Sequence, residues 1–177
     1  MLTLTSVSRE RFLEKPSQSP FYKTFLSKAT TYGLWESCCG LHNSVDELLG
    51  AMVVTHSKRK PQVTNLQLLF TFPEYRGQGV GSTLLKHAVD SGKNSGSAYF
   101  RVSSEPSSVI FYEKNGIKFW GNQKSGCSLA LMKYAPEGNL VMEMDDFVTK
   151  SLISNRKGSL SSEEKERCFS KTGLYGA

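Results

Sequence analysis

The residues best suited to chemistry in this sequence lie in a glycine-rich stretch at positions 76–81, RGQGVG. An apolar run ends just before it at Phe72, and a helical pattern of apolar residues begins just after it at Leu84. Because glycine costs conformational entropy, bare backbone at the start of a helix indicates that something approaches it closely. Unobstructed main-chain N–H groups and the positive end of a helix dipole together bind phosphate. The stretch therefore predicts a phosphate or pyrophosphate site.

Two familiar phosphate-binding loops do not fit this stretch. A Walker A loop needs a lysine directly after its last glycine, whereas here Ser82 follows Gly81. The dinucleotide fingerprint needs G-x-G-x-x-G after the first strand of a βαβ unit, whereas these glycines are spaced G-x-G-x-G after a fourth predicted strand. Residue type excludes the first loop, and spacing excludes the second.

The elements that must position the stretch follow from the apolar periodicity. Strand patterns occur at 2–7, 33–41, 47–56, 63–72, 97–103, 117–121 and 127–134. Helical patterns occur at 9–31, where Pro16 and Pro20 interrupt the pattern, and again at 82–96 and 107–115. A meander of strands followed by alternating strands and helices predicts an α/β (α+β) fold built on one mixed sheet.

Two segments of the chain resemble the hallmarks of the GNAT acetyltransferase superfamily. The signature [QR]-x-x-G-x-[GA] of that superfamily is matched by Arg76, Gly77, Gln78, Gly79, Val80 and Gly81. Its second hallmark, F-Y-E-K-x-G, is matched by Phe111, Tyr112, Glu113, Lys114 and Gly116. The order and separation of the two segments also agree. The resemblance covers residues 1–135 and leaves 136–177 as a C-terminal appendage, which we expect to be partly helical or disordered.

The resemblance implies both a fold and a cosubstrate. The fold would have a mixed, mostly antiparallel sheet of about seven strands, in which strands 4 and 5 splay apart to admit acetyl-coenzyme A. The loop from Arg76 through Gly77, Gln78, Gly79, Val80 and Gly81 to Ser82 would hold the pyrophosphate of coenzyme A. The main chain of Phe70, Thr71 and Phe72 would pair with the pantetheine arm. Lys114 or Lys118 would meet the 3′-phosphate.

The resemblance also implies a direct transfer of the acetyl group to an amine, which needs a proton donor and a base. Tyr112 stands at the position of the tyrosine that protonates the leaving thiolate. Members that acetylate histone-type lysines carry a glutamate where this chain has Asn65, and the next residue on that face is Gln67. Neither amide takes a proton at neutral pH. The base is therefore left open among a water relay at these amides, Glu105 and His56.

The composition, charge and cysteine pattern narrow the class of protein. The 177 residues are 38% hydrophobic and 21% charged, no run is long enough to span a bilayer, and the N-terminus does not resemble a secretory signal. We therefore expect a cytoplasmic protein without a membrane partner. The four cysteines and three histidines show no metal-ligand spacing, so no metal is expected. The net charge is +6, and its positive excess lies in residues 1–135, which fits a protein that handles anions.

Three functions stay open on the sequence alone. The first is an N-acetyltransferase that uses acetyl-coenzyme A and acts on a primary amine of a small molecule, a peptide or a protein. The second keeps the fold but takes a nucleic-acid amine, and the basic turn at 58–60 motivates it. The third is a coenzyme A-binding module without turnover. The segment at 136–177 is interpreted as a cover for the acceptor cleft, a homodimer contact or a disordered end.

Overall fold

The structure, a computed structural model, describes residues 1–154, which fall into two compact units. The first unit comprises Met1–Ser57 and Thr64–Ser95. The second comprises Lys58–Val63 and the described residues from Gly96 onward. The predictions for residues 155–177, including the end of the appendage, lie outside the described residues.

The first unit contains a meander of antiparallel strands. Its strands are β1 (Thr3–Ser6), β2 (Cys38–His42), β3 (Leu48–His56) and β4 (Val63–Thr71), of which only Val63 is assigned to the second unit. Each pairs with the next in the chain, with Thr3 opposite His42, Gly40 opposite Ala51, and Gly50 opposite Thr71. An irregularity interrupts the β3–β4 register between Val53 and Val54, so that Gln67 has no partner in the β3 register.

Three helices complete the first unit: α1 (Arg9–Leu13), α2 (Pro20–Thr31) and α3 (Val80–Asn94). Helix α1 begins where the Ser8 hydroxyl accepts a hydrogen bond from the N–H of Arg11, and α2 begins with a proline at its first position. Both helices bury aromatic rings in one core, in which Phe12 stacks on Tyr22 and Phe25 with ring centroids 4.7 and 4.9 Å apart. Phe70 and Phe72 of the β4 end join the same core.

The second unit is organised around one long strand. Strand β7 (Ser128–Tyr134) pairs antiparallel with β5 (Tyr99–Ser104), β6 (Gly121–Asn122) and β8 (Leu140–Val141). Its helices are α4 (Val109–Lys114) and α5 (Asp146–Ser154). The core contains Trp120, Leu129 and Leu131, together with Val148 and Leu152 of α5. Residues 136–154 thus add β8 and α5 to this unit, and the domain boundary after residue 135 stays a prediction.

The predicted α/β class with a mostly antiparallel strand arrangement is confirmed. Residues 1–154 hold eight strands where about seven were expected, because the short β8 lies in the segment interpreted as an appendage. Two strand predictions are wrong in extent. Residues 35–37 form a 3₁₀ turn before β2, and Trp35 packs on Phe12 there. Of the strand predicted at 117–121, only Gly121 is in β6, because adjacent Phe119 and Trp120 are both buried and break the alternation of a strand.

The relation between strands 4 and 5, including the splay, stays a prediction. Within residues 1–154, none of the helices has the length and apolar character that a bilayer crossing requires.

Candidate active site

The glycine-rich stretch forms an exposed loop between β4 and α3. A 3₁₀ turn at Pro73–Tyr75 follows β4, and the chain then passes through Gly77 and Gly79, whose φ angles are 77° and 80°. Residues other than glycine rarely adopt this left-handed backbone conformation. A Cβ atom built on either glycine would meet nothing within 4 Å, so the space around this backbone is open. The glycines are therefore required by the backbone path and leave the loop accessible to a ligand.

The loop leads directly into the N-terminus of α3. The N-cap residue, Gly79, provides no side-chain acceptor for the N–H groups of the first turn. Its carbonyl accepts hydrogen bonds from the Thr83 N–H at 3.0 Å and from Thr83 Oγ1 at 2.8 Å, which fixes the start of the helix. Ser82 is half-buried, and its hydroxyl has no hydrogen bond to residues 1–154. An anion placed here would meet free N–H donors, a hydroxyl and the positive end of the helix dipole.

Gly50 on β3 lets α3 come close to the β3–β4 hairpin. A Cβ atom at Gly50 would lie 2.6 Å from the carbonyl oxygen of Phe70 and 3.0 and 3.1 Å from the side chains of Val80 and Leu84. A side chain at this position would therefore push the first turns of α3 away from the strands. Gly50 is therefore required by close packing against the start of α3. Gly77 and Gly79 lie in open space and are required by their backbone conformation.

The main-chain groups at the end of β4 alternate between β3 and the opposite direction. The Phe72 N–H donates to the Leu49 carbonyl at 3.0 Å, and Gly50 is the Cα partner of Thr71. In an antiparallel pair, residues two apart direct their N–H and C=O groups to the same side, so Phe70 and Phe72 face β3. Leu69 and Thr71 consequently direct theirs away from β3. Of the predicted residues Phe70, Thr71 and Phe72, Thr71 alone directs its main-chain groups away from β3, and Leu69, which was not predicted, does the same.

Lys15 holds the turn that precedes the loop. Its Nζ donates to the Leu48 carbonyl at 3.2 Å and lies 3.0 Å from a carboxylate oxygen of Glu74. The same ammonium lies 4.8 Å from the ring centre of Phe72 and 4.2 Å from that of Tyr75, so it makes cation–π contacts on either side of the turn. One side chain from the α1–α2 connection therefore contacts three residues of the 72–75 segment.

Two further side chains hold this segment. The Tyr75 hydroxyl donates to the Glu47 carboxylate at 2.9 Å. Hydrogen bonds from Asn43 and then from Tyr75 lower the pKa of the Glu47 carboxyl, so it is ionised at neutral pH. Arg76 donates to the Thr71 carbonyl at 3.4 Å and to the Ser19 hydroxyl at 3.3 Å. The loop thus begins from a turn that is tied to α2 and to the β2–β3 connection.

Tyr112 lies on α4 in the second unit, with 7% of its surface exposed. Its ring makes edge contacts with Phe111 and Phe119, whose centroids are 5.1 and 6.1 Å away. Its hydroxyl has no hydrogen-bond partner among residues 1–154. Burial raises the pKa of the phenol, so the hydroxyl is protonated at neutral pH. A buried, protonated and unpaired hydroxyl is costly, and such groups in native structures call for an explanation.

The other candidate residues are more exposed or already paired. Glu105 follows β5 and Lys114 ends α4, and both side chains are exposed. His56 is bonded through Nδ1 to Thr64 Oγ1 at 2.7 Å and through Nε2 to Ser91 Oγ at 3.3 Å, so both ring nitrogens are occupied. Gln67 donates to the Thr55 hydroxyl at 3.0 Å, and Asn65 is the Cα partner of Thr55.

The structure brings together the predicted residues of the loop and β4 within the first unit. It places Glu105, Tyr112 and Lys114 in the second unit. In the described part of the chain, no group of three or more His, Cys, Asp and Glu side chains could hold a metal ion.

Comparison with known proteins gives a consistent result. The family model described as "Acetyltransferase (GNAT) domain" matches residues 14–135. No curated protein sequence matches this chain. The PaiA N-acetyltransferase from Thermoplasma acidophilum, solved in complex with coenzyme A, is 18% identical and superposes with a TM-score of 0.57 over 76% of this chain and 99% of that one. The IAA acetyltransferase from Bacillus cereus ATCC 14579 is 15% identical, with a TM-score of 0.53 over 74% of this chain and 97% of that one. At these identities the likeness shows the fold, and the predicted fold is confirmed.

Proposed function

The chain belongs to the GNAT acetyltransferase family, and from this premise we propose that it transfers the acetyl group of acetyl-coenzyme A to a primary amine. The acceptor class is a small molecule, a peptide or a protein. The observation that carries the proposal is the open loop at 77–79, which leads into an uncapped helix N-terminus. Bare N–H groups and the positive end of a helix dipole together bind a pyrophosphate.

The start of α3 and the end of β4 both have polar groups that fit coenzyme A. The Ser82 hydroxyl and the N–H groups of the first turn of α3 are the donors for the pyrophosphate. Leu69 and Thr71 direct main-chain groups away from β3 and can pair with the amides of the pantetheine arm. The thioester supplies an activated acetyl group when it is bound. A main-chain N–H at this edge is also suited to polarise its carbonyl.

We assign Tyr112 the role of general acid. In a direct transfer, the amine nitrogen bonds to the carbonyl carbon, the carbon–sulfur bond breaks, and the sulfur leaves with the bonding electrons. A proton from the Tyr112 hydroxyl would then neutralise the thiolate, the amine would lose its proton to the base, and the tyrosinate would regain a proton from solvent. The unpaired hydroxyl supports this role, because the missing hydrogen bond would be made in the reacting complex.

The base in this proposal is a water molecule held near the amides of Asn65 and Gln67, with Glu105 as the alternative. The Gln67 side chain is fixed by its bond to Thr55, which suits it to orient a water. Glu105 is the exposed carboxylate that follows β5. The paired nitrogens of His56 argue against that residue as the base.

The proposal is tested by thiol release from acetyl-coenzyme A with a panel of diamines, amino acids, peptides and short oligonucleotides. Mass spectrometry of each mixture identifies the acceptor by a gain of one acetyl group. We expect release with at least one aliphatic amine. Release only with oligonucleotides would establish the nucleic-acid alternative, and tight binding of coenzyme A without release for any acceptor would leave the binding module. A cytoplasmic location and a homodimer contact stay predictions.

A further inference from the structure

Arg101 is a half-buried arginine in the second unit without an acidic partner. It lies in the middle of β5, where its neighbours Phe100 and Val102 are 0% and 1% exposed. Its guanidinium has one hydrogen bond, from Nη2 to Gln123 Oε1 at 3.4 Å, although the group carries five N–H donors. The ion pairs Arg11–Glu14, Lys15–Glu74 and Lys133–Glu143 do not include it. A positive charge that is partly removed from water normally has a counter-charge.

Two acids of the same unit are committed elsewhere. Glu143 pairs with Lys133 at 3.6 Å. Asp145 accepts the hydrogen bond of the Tyr99 hydroxyl and caps α5 through the Val148 N–H at 2.9 Å. Burial lowers the pKa of Arg101, yet an arginine stays protonated at neutral pH. The guanidinium is therefore a charged group with several donors to spare.

Gln123 holds a donor set in place beside this charge. Its Nε2 donates to the Ser103 hydroxyl at 2.6 Å, while its Oε1 accepts from Arg101. Its backbone is fixed by a bond from its N–H to the Cys127 carbonyl at 2.7 Å, and its carbonyl accepts the Gly126 N–H at 2.9 Å. The amide thus links two side chains that are two residues apart and so lie on the same face of β5.

Arg101 and Ser103 form a polar row on one face of β5. Glu105 follows β5 directly, and its side chain is exposed. Val102 does not interrupt the row, because its side chain is buried on the opposite face. Within the strand, the face that Arg101 and Ser103 share therefore presents a positive group and a hydroxyl about 7 Å apart.

We propose that Arg101, Gln123 and Ser103 form a recognition site for a carboxylate of the acceptor, so that the acceptor is an amine that also bears an acid. The planar guanidinium pairs with both oxygens of a carboxylate, and the Ser103 hydroxyl adds a polar contact. A single guanidinium matches the single negative charge of a carboxylate. This inference rests on the proposed acetyl transfer and names its acceptor class.

The site itself is tested by nuclear magnetic resonance on the full chain labelled at arginine, with sodium acetate as the probe at constant ionic strength. We expect the Nε–H signal of Arg101, assigned by its loss in Arg101→Gln, to shift with saturation. Arg9, which is exposed on α1, serves as the internal control and should shift weakly and linearly. An Arg101 response identical to that of Arg9 would overturn the site, whatever the enzyme acetylates.

The specificity is tested with ω-amino carboxylates of two to six carbons and their neutral carboxamides. We expect the wild type to prefer the carboxylates in kcat/KM by about tenfold to a hundredfold, and Arg101→Gln to lose that preference. Arg101→Lys should keep only part of the preference, because it retains the charge but not the planar set of N–H donors that pairs with both carboxylate oxygens. Arg9→Gln is the matched control. An equal preference in the wild type and Arg101→Gln would contradict the inference. Binding of acetate without turnover of any amine would instead count against the proposed function.

Discussion

At the scale of a single residue, the buried hydroxyl of Tyr112 is the group on which the proposed mechanism depends. Its hydroxyl lies in an apolar setting of aromatic rings and has no hydrogen bond to residues 1–154. Tyr99 offers the contrast, because it is also buried but its hydroxyl donates to Asp145. One phenol has a structural partner and the other does not. The contrast supports a structural role for Tyr99 and the proposed catalytic role for Tyr112.

Tyr112→Phe should lower kcat by about a hundredfold, because it removes the proposed proton donor. The KM for acetyl-coenzyme A should change less than about twofold, and the melting temperature should stay the same or rise, since an unpaired buried hydroxyl is removed. Steady-state kinetics and thermal unfolding measure the three quantities. Tyr99→Phe, the control, should lose stability and keep kcat. An unchanged kcat in Tyr112→Phe would remove this residue from the mechanism.

Gly79 and Gly50 show two separate requirements at the scale of the loop and helix. Gly79→Ala should destabilise the fold by about 1 kcal/mol, because alanine is strained at a φ of 80° although space is free. Gly50→Ala should cost about 1–3 kcal/mol, because the added Cβ meets the Phe70 carbonyl and Leu84. Urea unfolding gives both values, and calorimetry gives the affinity for coenzyme A.

Both glycine variants should bind coenzyme A more weakly, since one distorts the loop and the other displaces the start of α3. Gly33→Ala is a suitable control, because Gly33 also has a positive φ in open space but lies between α2 and β2. It should lose stability and retain affinity. Equal losses of affinity in all three variants would mean that stability, and not the geometry of the loop, controls binding.

Lys15→Met should raise the KM for acetyl-coenzyme A by about threefold to tenfold while leaving kcat at saturation near the wild-type value. The methionine keeps the apolar stem but removes the contacts to Glu74, Leu48 and the two rings, so the turn before the loop becomes less fixed. Lys23→Met, on the exposed side of α2, is the matched control. A fall in kcat with an unchanged KM would contradict this positioning role.

The pH dependence of stability belongs to the whole molecule, because it sums groups in both units. Burial raises the pKa of Tyr22, Tyr99 and Tyr112, and it raises the pKa of Cys38 from 9.0 to about 12. Each protonated form is favoured by folding, so this stabilisation is complete below the unfolded values of 9.0 and 10.0 and is lost as the pH rises through the folded ones.

These groups should therefore leave the free energy of unfolding unchanged near pH 7. Above about pH 9 the free energy of unfolding should fall steadily. Urea unfolding at pH 7, 9, 10 and 11 measures it. Cys38→Ala should show a shallower fall, because one of the shifted groups is gone. A free energy of unfolding that rises between pH 9 and 11 would contradict the assignment of these groups as buried and protonated.

Features that depend on neighbouring residues could be predicted from the sequence, whereas features that depend on distant contacts could not. The glycine loop and the helix behind it are encoded within 77–94, so the pattern predicted them. The turn at Trp35 depends on packing against Phe12, and the choice of Leu69 depends on the register with β3, which only the paired strands show. The Arg101 and Gln123 contact spans 22 residues and carries no sequence signature. The sequence therefore did not predict the contacts between distant residues or the ends of the elements that depend on such contacts.

The central claim is that the loop and the N-terminus of α3 hold the pyrophosphate of coenzyme A, and calorimetric titration of the full chain tests it most directly. Coenzyme A should bind at one site, and pantetheine, which lacks the pyrophosphate, should bind at least tenfold more weakly. In Gly79→Ala the affinity for coenzyme A should fall toward that for pantetheine, while the affinity for pantetheine stays constant. Equal affinities of the wild type for the two compounds, or no binding of coenzyme A, would contradict the account.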